Sequence, residues 1–144
     1  MCTKLTLVVA GASLLIVAGA TPARAHHSFA AEFDANKPIK FEKAVVTKVE
    51  WINPHTWIHV DVPMPDGSTE EWAIEAGTLN VLFRRGFTKQ ALLQGTVIRI
   101  DGYRAKDGSH RANGRDLTLP DGHTLFLGSS GTGAPSEVKA PTSK

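Results

Sequence analysis

The sequence predicts an all-β domain with small α content: an OB-like barrel of five to six strands with a short helix between strands 3 and 4. Two observations support this. Segments rich in β-branched and aromatic residues recur along the chain and are separated by turn signals. One helical segment with its own start and stop residues interrupts them after the third strand. Three Asp-Gly pairs mark turns, at residues 66–67, 107–108 and 121–122.

The first three strands form a predicted meander. Phe41 to Ile52 is the first strand and ends at the turn signal Asn53-Pro54. Trp57 to Val62 is the second, and a turn with two prolines leads into the third, Thr69 to Glu75. Alternation along the second strand predicts a core face and an opposite face. The predicted core face is Ile52, Thr56, Ile58, Val60 and Val62.

A helix and two or three further strands complete the pattern. Thr78 is a candidate N-cap for a helix over Leu79 to Arg85, and Thr88 for a second turn over Lys89 to Leu93. Gly86 and Gly95 follow these segments as stop signals. The later strands are predicted at Thr96 to Tyr103, with Ile98 and Ile100 on one face, at Arg111 to Leu119 and at Thr124 to Leu127. A two-sheet sandwich is the rival architecture, but it needs seven or more strands and no central helix.

The two ends of the chain have other roles. Residues 1–25 are predicted to be a cleavable signal peptide: Lys4, an apolar run to Ala20, and the cleavage pattern Ala23-Arg24-Ala25. A membrane anchor is the alternative, but the run is 16 residues, short of the roughly 20 that span a bilayer. Residues 26–40 are expected to be an N-terminal arm, either helical or extended. The domain follows over 41–128, and 129–144 are predicted to be a disordered tail.

Charge limits the classes of partner. Cleavage removes Lys4 and Arg24, which lowers Lys+Arg from 16 to 14 against 14 Asp+Glu. The mature protein would therefore be near neutral, and neither nucleic acid nor an anionic membrane is indicated by net charge. The only cysteine, Cys2, leaves with the signal peptide, so the exported chain cannot form disulfides. The expected protein is periplasmic, with no membrane span after cleavage.

Four motifs resemble a known family. They are HHSFAAEFD from His26, VEWINPHTW from Val49, RRGFT from Arg84 and DGYRAKDGS from Asp101. Over roughly residues 26–128 the chain is similar to an uncharacterised family of exported bacterial proteins, domain of unknown function 6152. This resemblance implies an envelope protein, and it implies no site residues.

The histidines suggest a transition-metal site. Cleavage after Ala25 would make His26 the first residue, so that its α-amine and its imidazole could chelate a metal together. This arrangement resembles the histidine-brace copper sites of other secreted proteins. Loop and strand positions make His55, His59 and His110 candidate further ligands, and copper is the first choice of metal. The alternative interpretation is a flexible N-terminus and solvated surface histidines.

A second hypothesis is an interaction module. Trp51, Asn53 and Trp57 share the predicted outer face of the second strand, where OB barrels commonly bind ligands. The chain also changes sign: residues 26–83 carry 4 Lys+Arg and 9 Asp+Glu, and residues 84–115 carry 8 and 2. Adjacent strands could neutralise each other, or a basic patch could bind an anionic ligand or an envelope protein. The candidate patch is Arg99, Arg104, Lys106, Arg111 and Arg115.

Motifs for catalysis are missing from the sequence. It contains no nucleophile elbow, no H-E-x-x-H zinc motif, no phosphate loop and, after cleavage, no cysteine nucleophile. The function predicted is therefore non-enzymatic binding in the periplasm. Although OB folds often bind nucleic acid and tryptophans can stack on bases, an envelope location argues against that ligand.

Overall fold

The computed structural model describes residues 29–128, which form mostly β-structure. The predicted signal peptide, His26 and the predicted tail lie outside these residues. A single turn of helix, α1, precedes the first strand, and a second short helix, α2, and one 3-10 helix separate the third and fourth strands. The elements in order are α1 (Phe29–Glu32), β1 (Phe33–Glu50), β2 (Thr56–Pro63), β3 (Thr69–Ala76), α2 (Leu79–Arg84), the 3-10 helix (Lys89–Leu92), β4 (Val97–Ala105), β5 (Arg111–Thr118) and β6 (Thr124–Phe126).

The strands are bonded in a ring. Their order in the sheet is β3-β2-β1-β4-β5-β6, and an additional pairing joins β3 to β5. That closing pair is parallel and runs from Ala73 opposite Arg111 to Glu75 opposite Asn113, whereas the other pairs are antiparallel. The prediction of an all-β, OB-like fold with a helix between strands 3 and 4 is confirmed.

Strand β1 is long because it serves two neighbours. Its first part pairs with β4, from Phe33 opposite Ala105 to Val45 opposite Val97, and its last part pairs with β2 up to Glu50. Register shifts interrupt both pairings, and such irregularities allow a strand to bend around a ring. The strand begins at Phe33 rather than at the predicted Phe41. The described part of the arm is therefore a turn of helix followed by strand.

The core faces inward from all the main strands. Thr56, Ile58, Val60 and Val62 are buried on β2, as alternation predicts, and so are Ile98 and Ile100 on β4. The prediction that Ile52 faces the core is wrong, because this residue is 49% exposed. Because β1 ends at Glu50 and β2 begins at Thr56, the intervening turn breaks the alternation on which that prediction rests.

The connection between β3 and β4 covers part of the core. Leu82, Phe87 and Leu92 from this connection are buried in the same cluster as the inward strand residues. Thr88 caps the 3-10 helix as predicted, because its hydroxyl accepts a 3.1 Å bond from the Ala91 amide. Thr78 precedes α2 with extended backbone, but its side chain makes no capping bond.

Two glycines let strands and side chains approach closely in the ring wall. A Cβ on Gly102 would lie well inside van der Waals contact with the backbone carbonyl of Asn113 on the neighbouring strand. A Cβ on Gly114 would instead meet two fully buried side chains, Leu127 at 2.5 Å and Ile74 at 2.9 Å, and would lie 3.3 Å from the backbone carbonyl oxygen of Glu75. Side-chain ends can shift, but paired backbone cannot shift without breaking the sheet.

We therefore expect Gly102→Ala to lower the free energy of unfolding by about 1–3 kcal/mol. Gly114→Ala, the comparison variant in the adjacent strand, should be the milder change because its closest contacts are side-chain atoms and its backbone contact, at 3.3 Å, is the least severe. Urea denaturation followed by circular dichroism measures both. The proposed cause would be contradicted by a Gly102→Ala protein as stable as the wild type.

Candidate functional site

A row of paired residues crosses the outer surface of the ring. Glu50, Trp57, Glu75, Asn113 and Tyr103 are successive cross-strand partners from β1 through β2, β3 and β5 to β4. Direct partners share one face of a sheet. The adjacent row consists of Ile58, Ile74 and Ala112, which are fully buried and face the core. The first row therefore lies on the side of the sheet away from the core.

Glu75 and His55 form the central contact of this outer row. His55 Nδ1 lies 2.6 Å from Glu75 Oε1, and the side chains are 19% and 8% exposed. His55 lies in the turn before β2, directly after the cis Asn53-Pro54 peptide bond. At this distance a hydrogen bond joins the two groups, so a proton lies between the imidazole nitrogen and the carboxylate oxygen.

Burial changes the acidity of Glu75. Loss of hydration, reinforced by the nearby carboxylate of Glu32, raises the pKa of Glu75 to about 7, and the positive charge of Arg111 opposes the rise. A carboxyl group with this pKa exchanges its proton near neutral pH. It can donate to His55 when protonated and accept from His55 when ionised.

The N-terminal helix packs beside the same row. The Phe29 ring packs edge-on against Tyr103, with 5.4 Å between ring centroids, and lies 5.9 Å from Phe33. Lys106 fastens the helix through two bonds, from its side chain to the Ala30 carbonyl and from its amide to the Glu32 carbonyl. These contacts explain why Glu32 lies close enough to Glu75 to affect its pKa.

The other two predicted histidines on described elements lie elsewhere. His59 Nε2 is 3.5 Å from Glu50 Oε1. His110 stacks on the core residue Trp72, with ring centroids 4.9 Å apart, and its Nε2 is 3.8 Å from Glu70. Within residues 29–128, no three His, Cys, Asp or Glu side chains form a group that could hold a metal ion. The predicted convergence of His55, His59 and His110 is therefore not found, because each contacts a different carboxylate.

The predicted Trp51, Asn53 and Trp57 face is divided. Trp57 lies half-buried on the outer row, directly opposite Glu75. Trp51 instead stacks on Phe83 of α2, with 5.6 Å between centroids, and packs against the core cluster. Asn53 is exposed in the turn between β1 and β2. As with Ile52, alternation does not extend through this turn.

Each of the five predicted basic residues has a partner, but only three of them pair with a carboxylate, whereas Arg104 and Lys106 bond to carbonyl oxygens and keep their charge. Only one of their ion pairs joins two strands, Arg99 on β4 with Glu42 on β1. The partners are Glu42 for Arg99 at 2.7 Å, the Trp72 ring and the Gly108 carbonyl for Arg104, the Ala30 carbonyl for Lys106, Asp107 for Arg111 at 2.8 Å, and Asp116 for Arg115 at 2.6 Å.

Sequence reasoning missed Glu75, Glu32 and Asn113 as site residues. One local signal was available for Glu75, which is the only charged residue in the run from Trp72 to Gly77. A continuous apolar run is typical of a strand covered on both faces. The proximity of Glu32 and Asn113 had no such signal, because it depends on the docked helix and on the β3–β5 pairing.

The chain belongs to a family of unknown function, domain of unknown function 6152, whose model matches residues 12–114. The match starts inside the predicted signal peptide and ends within β5, whereas the resemblance in the sequence was placed at roughly residues 26–128. No curated protein and no solved structure matches the chain. Among the described residues, no helix has the length and apolar character needed to cross a membrane.

The raised pKa of Glu75 predicts a pH-dependent stability. The unfolded carboxyl ionises near 4.5 and the native one near 7, so between these values the native protein holds the extra proton. The contribution of this carboxyl group to the free energy of unfolding is therefore largest below the unfolded-state pKa. It falls as pH rises from there to the native pKa, by up to about 1.4 kcal/mol per pH unit.

Urea denaturation at about pH 5 and about pH 8 tests this dependence. Glu75→Gln should remove it, so that the stability of the variant relative to wild type increases with pH. Glu71→Gln changes an exposed residue of the same strand and is the matched control. Parallel wild-type and Glu75→Gln profiles would contradict the assignment.

Proposed function

We propose that this protein is an exported, non-enzymatic binding protein of the bacterial periplasm that binds a transition metal, copper first, through His26 and His55. The observation that carries the proposal is the contact of half-buried His55 with buried Glu75 of the outer row, beside the docked N-terminal helix. Residues of the predicted mature N-terminus would thus start close to an oriented imidazole.

The reach of the N-terminus supports this pairing. His26 is three residues before Phe29, and three extended residues span about 10 Å. Phe29 packs on Tyr103, and Tyr103 is two strands from Glu75 in the outer row, a separation of about 10 Å at the usual strand spacing. A chain that begins at His26 is therefore long enough to bring its amine to the His55 side of the row.

The chemistry of the pair fits a metal ligand. Metal-binding histidines usually donate their second ring nitrogen to a carboxylate, which fixes the ring orientation and makes the ligating nitrogen more basic. The contact of His55 Nδ1 with Glu75 has this form, so a metal would bind at Nε2. Metal binding would then replace other contacts of the His55 ring. The α-amine and imidazole of His26 would complete a nitrogen set suited to copper.

Two candidate ligands are not part of this proposal. His59 and His110 contact Glu50 and Glu70 rather than Glu75, so they are not expected to share an ion with His26. The competing proposal is an envelope protein-interaction or anionic-ligand module. This module would use Trp57 and the basic strands. Absence of metal binding in a titration would favour it over the metal site.

Export predicts a defined start of the mature chain. We expect the protein recovered from the periplasm to have the intact mass of residues 26–144, because cleavage follows the Ala23-Arg24-Ala25 pattern. Mass spectrometry of the intact protein and of its N-terminal peptide measures this. A mature chain that begins at any other residue would remove the chelating amine from the proposed site.

Titration of the mature protein with Cu(II), followed by calorimetry, tests the metal site. We expect sub-micromolar binding to be lost on addition of one residue before His26 and on His55→Gln. Glu75→Gln should weaken binding by about 10- to 100-fold because it releases the ring orientation. His123→Gln, which changes a side chain that is 80% exposed, is the matched control.

The outcomes separate the alternatives. Unchanged affinity in the extended protein would contradict a role for the His26 amine. Unchanged affinity in His55→Gln would contradict the pairing of arm and turn. No Cu(II) binding by the wild type would favour the interaction module.

A further inference from the structure

Exposed apolar residues concentrate at one connection of the fold. Among residues 29–128, the large hydrophobic residues that are exposed are Ile52 (49%), Phe83 (45%), Leu93 (60%) and Val97 (47%). Phe83 and Leu93 belong to the connection between β3 and β4, and Val97 is the first residue of β4. Isolated exposed hydrophobic residues need no explanation, but a group associated with one segment does.

The same connection contains no acidic residue. Between Glu75 and Asp101 the sequence has no Asp or Glu, and it contains Arg84, Arg85, Lys89 and Arg99. Two of these cations are engaged: Arg85 donates to the carbonyls of Phe126 and Gly128, and Arg99 pairs with Glu42. Arg84 and Lys89 are exposed, and no carboxylate of the described chain lies within ion-pair distance of either.

A ring contact joins the turn after β1 to this segment. Trp51 stacks on Phe83 of α2 with an interplanar angle of 18°, and the exposed Ile52 follows Trp51 in the chain. We call Trp51, Ile52, Phe83 and Arg84 the basic apolar surface. Lys89 and Leu93 follow Arg84 in the same connection.

We propose that the basic apolar surface binds peripherally to an anionic phospholipid membrane. A partly exposed tryptophan, a phenylalanine and an isoleucine beside arginine match the chemistry of a bilayer interface, which takes up apolar side chains below its phosphates and attracts cations to them. The mature chain is near neutral as a whole, so this attraction is local to the acid-free connection. The surface shares no residue with the proposed metal site.

An acidic protein is the other partner that the charge would fit. The apolar members argue against a purely ionic ligand: contact with charges alone would leave the exposed Phe83 and Ile52 side chains in water, whereas a bilayer removes them from it. The proposal therefore requires that both the apolar and the cationic residues contribute to binding.

Flotation of the mature protein, residues 26–144, with lipid vesicles tests this. We expect binding to vesicles of equal parts phosphatidylglycerol and phosphatidylcholine, weaker binding to pure phosphatidylcholine, and weakening by salt. Arg84→Gln with Lys89→Gln should lower the partition coefficient by about fivefold for each cation removed. Lys43→Gln, an exposed cation on β1, is the matched control and should bind as the wild type does.

The apolar contribution needs its own variant. Phe83→Ser should lower the partition coefficient by about five- to tenfold, since roughly half of a phenylalanine side chain would lose its burial in the interface. Circular dichroism checks that the variant is folded, and Ile52→Ser is a second variant outside the helix. The proposal would be overturned by a wild type that does not float with phosphatidylglycerol vesicles, or by unchanged partition of Phe83→Ser and Ile52→Ser. Retention on poly-glutamate beads without vesicle binding would overturn it in favour of an acidic protein.

Discussion

The parallel pairing of β3 with β5 is the contact on which the rest of the molecule depends. It covers only three register positions, Ala73 to Glu75 against Arg111 to Asn113, yet it converts an open sheet into a ring. An open sheet would leave both strands with unpaired backbone groups and would expose the inward side chains. The same pairing covers the flank of Glu75, so closure of the ring also creates the buried carboxyl group of the candidate site.

Glu75 links the stability of the fold to the proposed metal site. A carboxyl group taken out of water destabilises the fold when it ionises, and its retention at the centre of the outer row calls for a reason beyond folding. Its contact with His55 provides one, because a histidine held by a carboxylate has a defined ring orientation. The docked helix adds Glu32, which makes ionisation of Glu75 still less favourable. The site thus combines an oriented base with an acid whose charge changes near neutral pH.

Much of the fold could be predicted from the sequence because its signals are local. Alternation fixed the inward residues of β2 and β4, and glycine and Asp-Gly turns marked where elements end. Prediction was wrong where a local rule was carried across a break, as for Ile52 and Trp51 in the turn after β1. It was silent where proximity arises only from closure or docking, as for Glu32 and Asn113 beside Glu75. No shared site of His55, His59 and His110 is found among the described residues, and spacing alone could not show this, because it gives no information on which carboxylate each histidine contacts.

The two-sided pairing of β1 also bears on how the protein acquires its structure. The first part of this strand bonds to β4, which is made only after β2, β3 and the helical connection. Two of the pairings around the ring, β1 with β4 and β3 with β5, therefore join segments that are distant along the chain, and such pairings form slowly because loops must close before contacts form. A nascent chain would show unsatisfied strand edges until β5 had emerged. Assistance from a holding chaperone during that interval would benefit this fold more than a helical one of equal size.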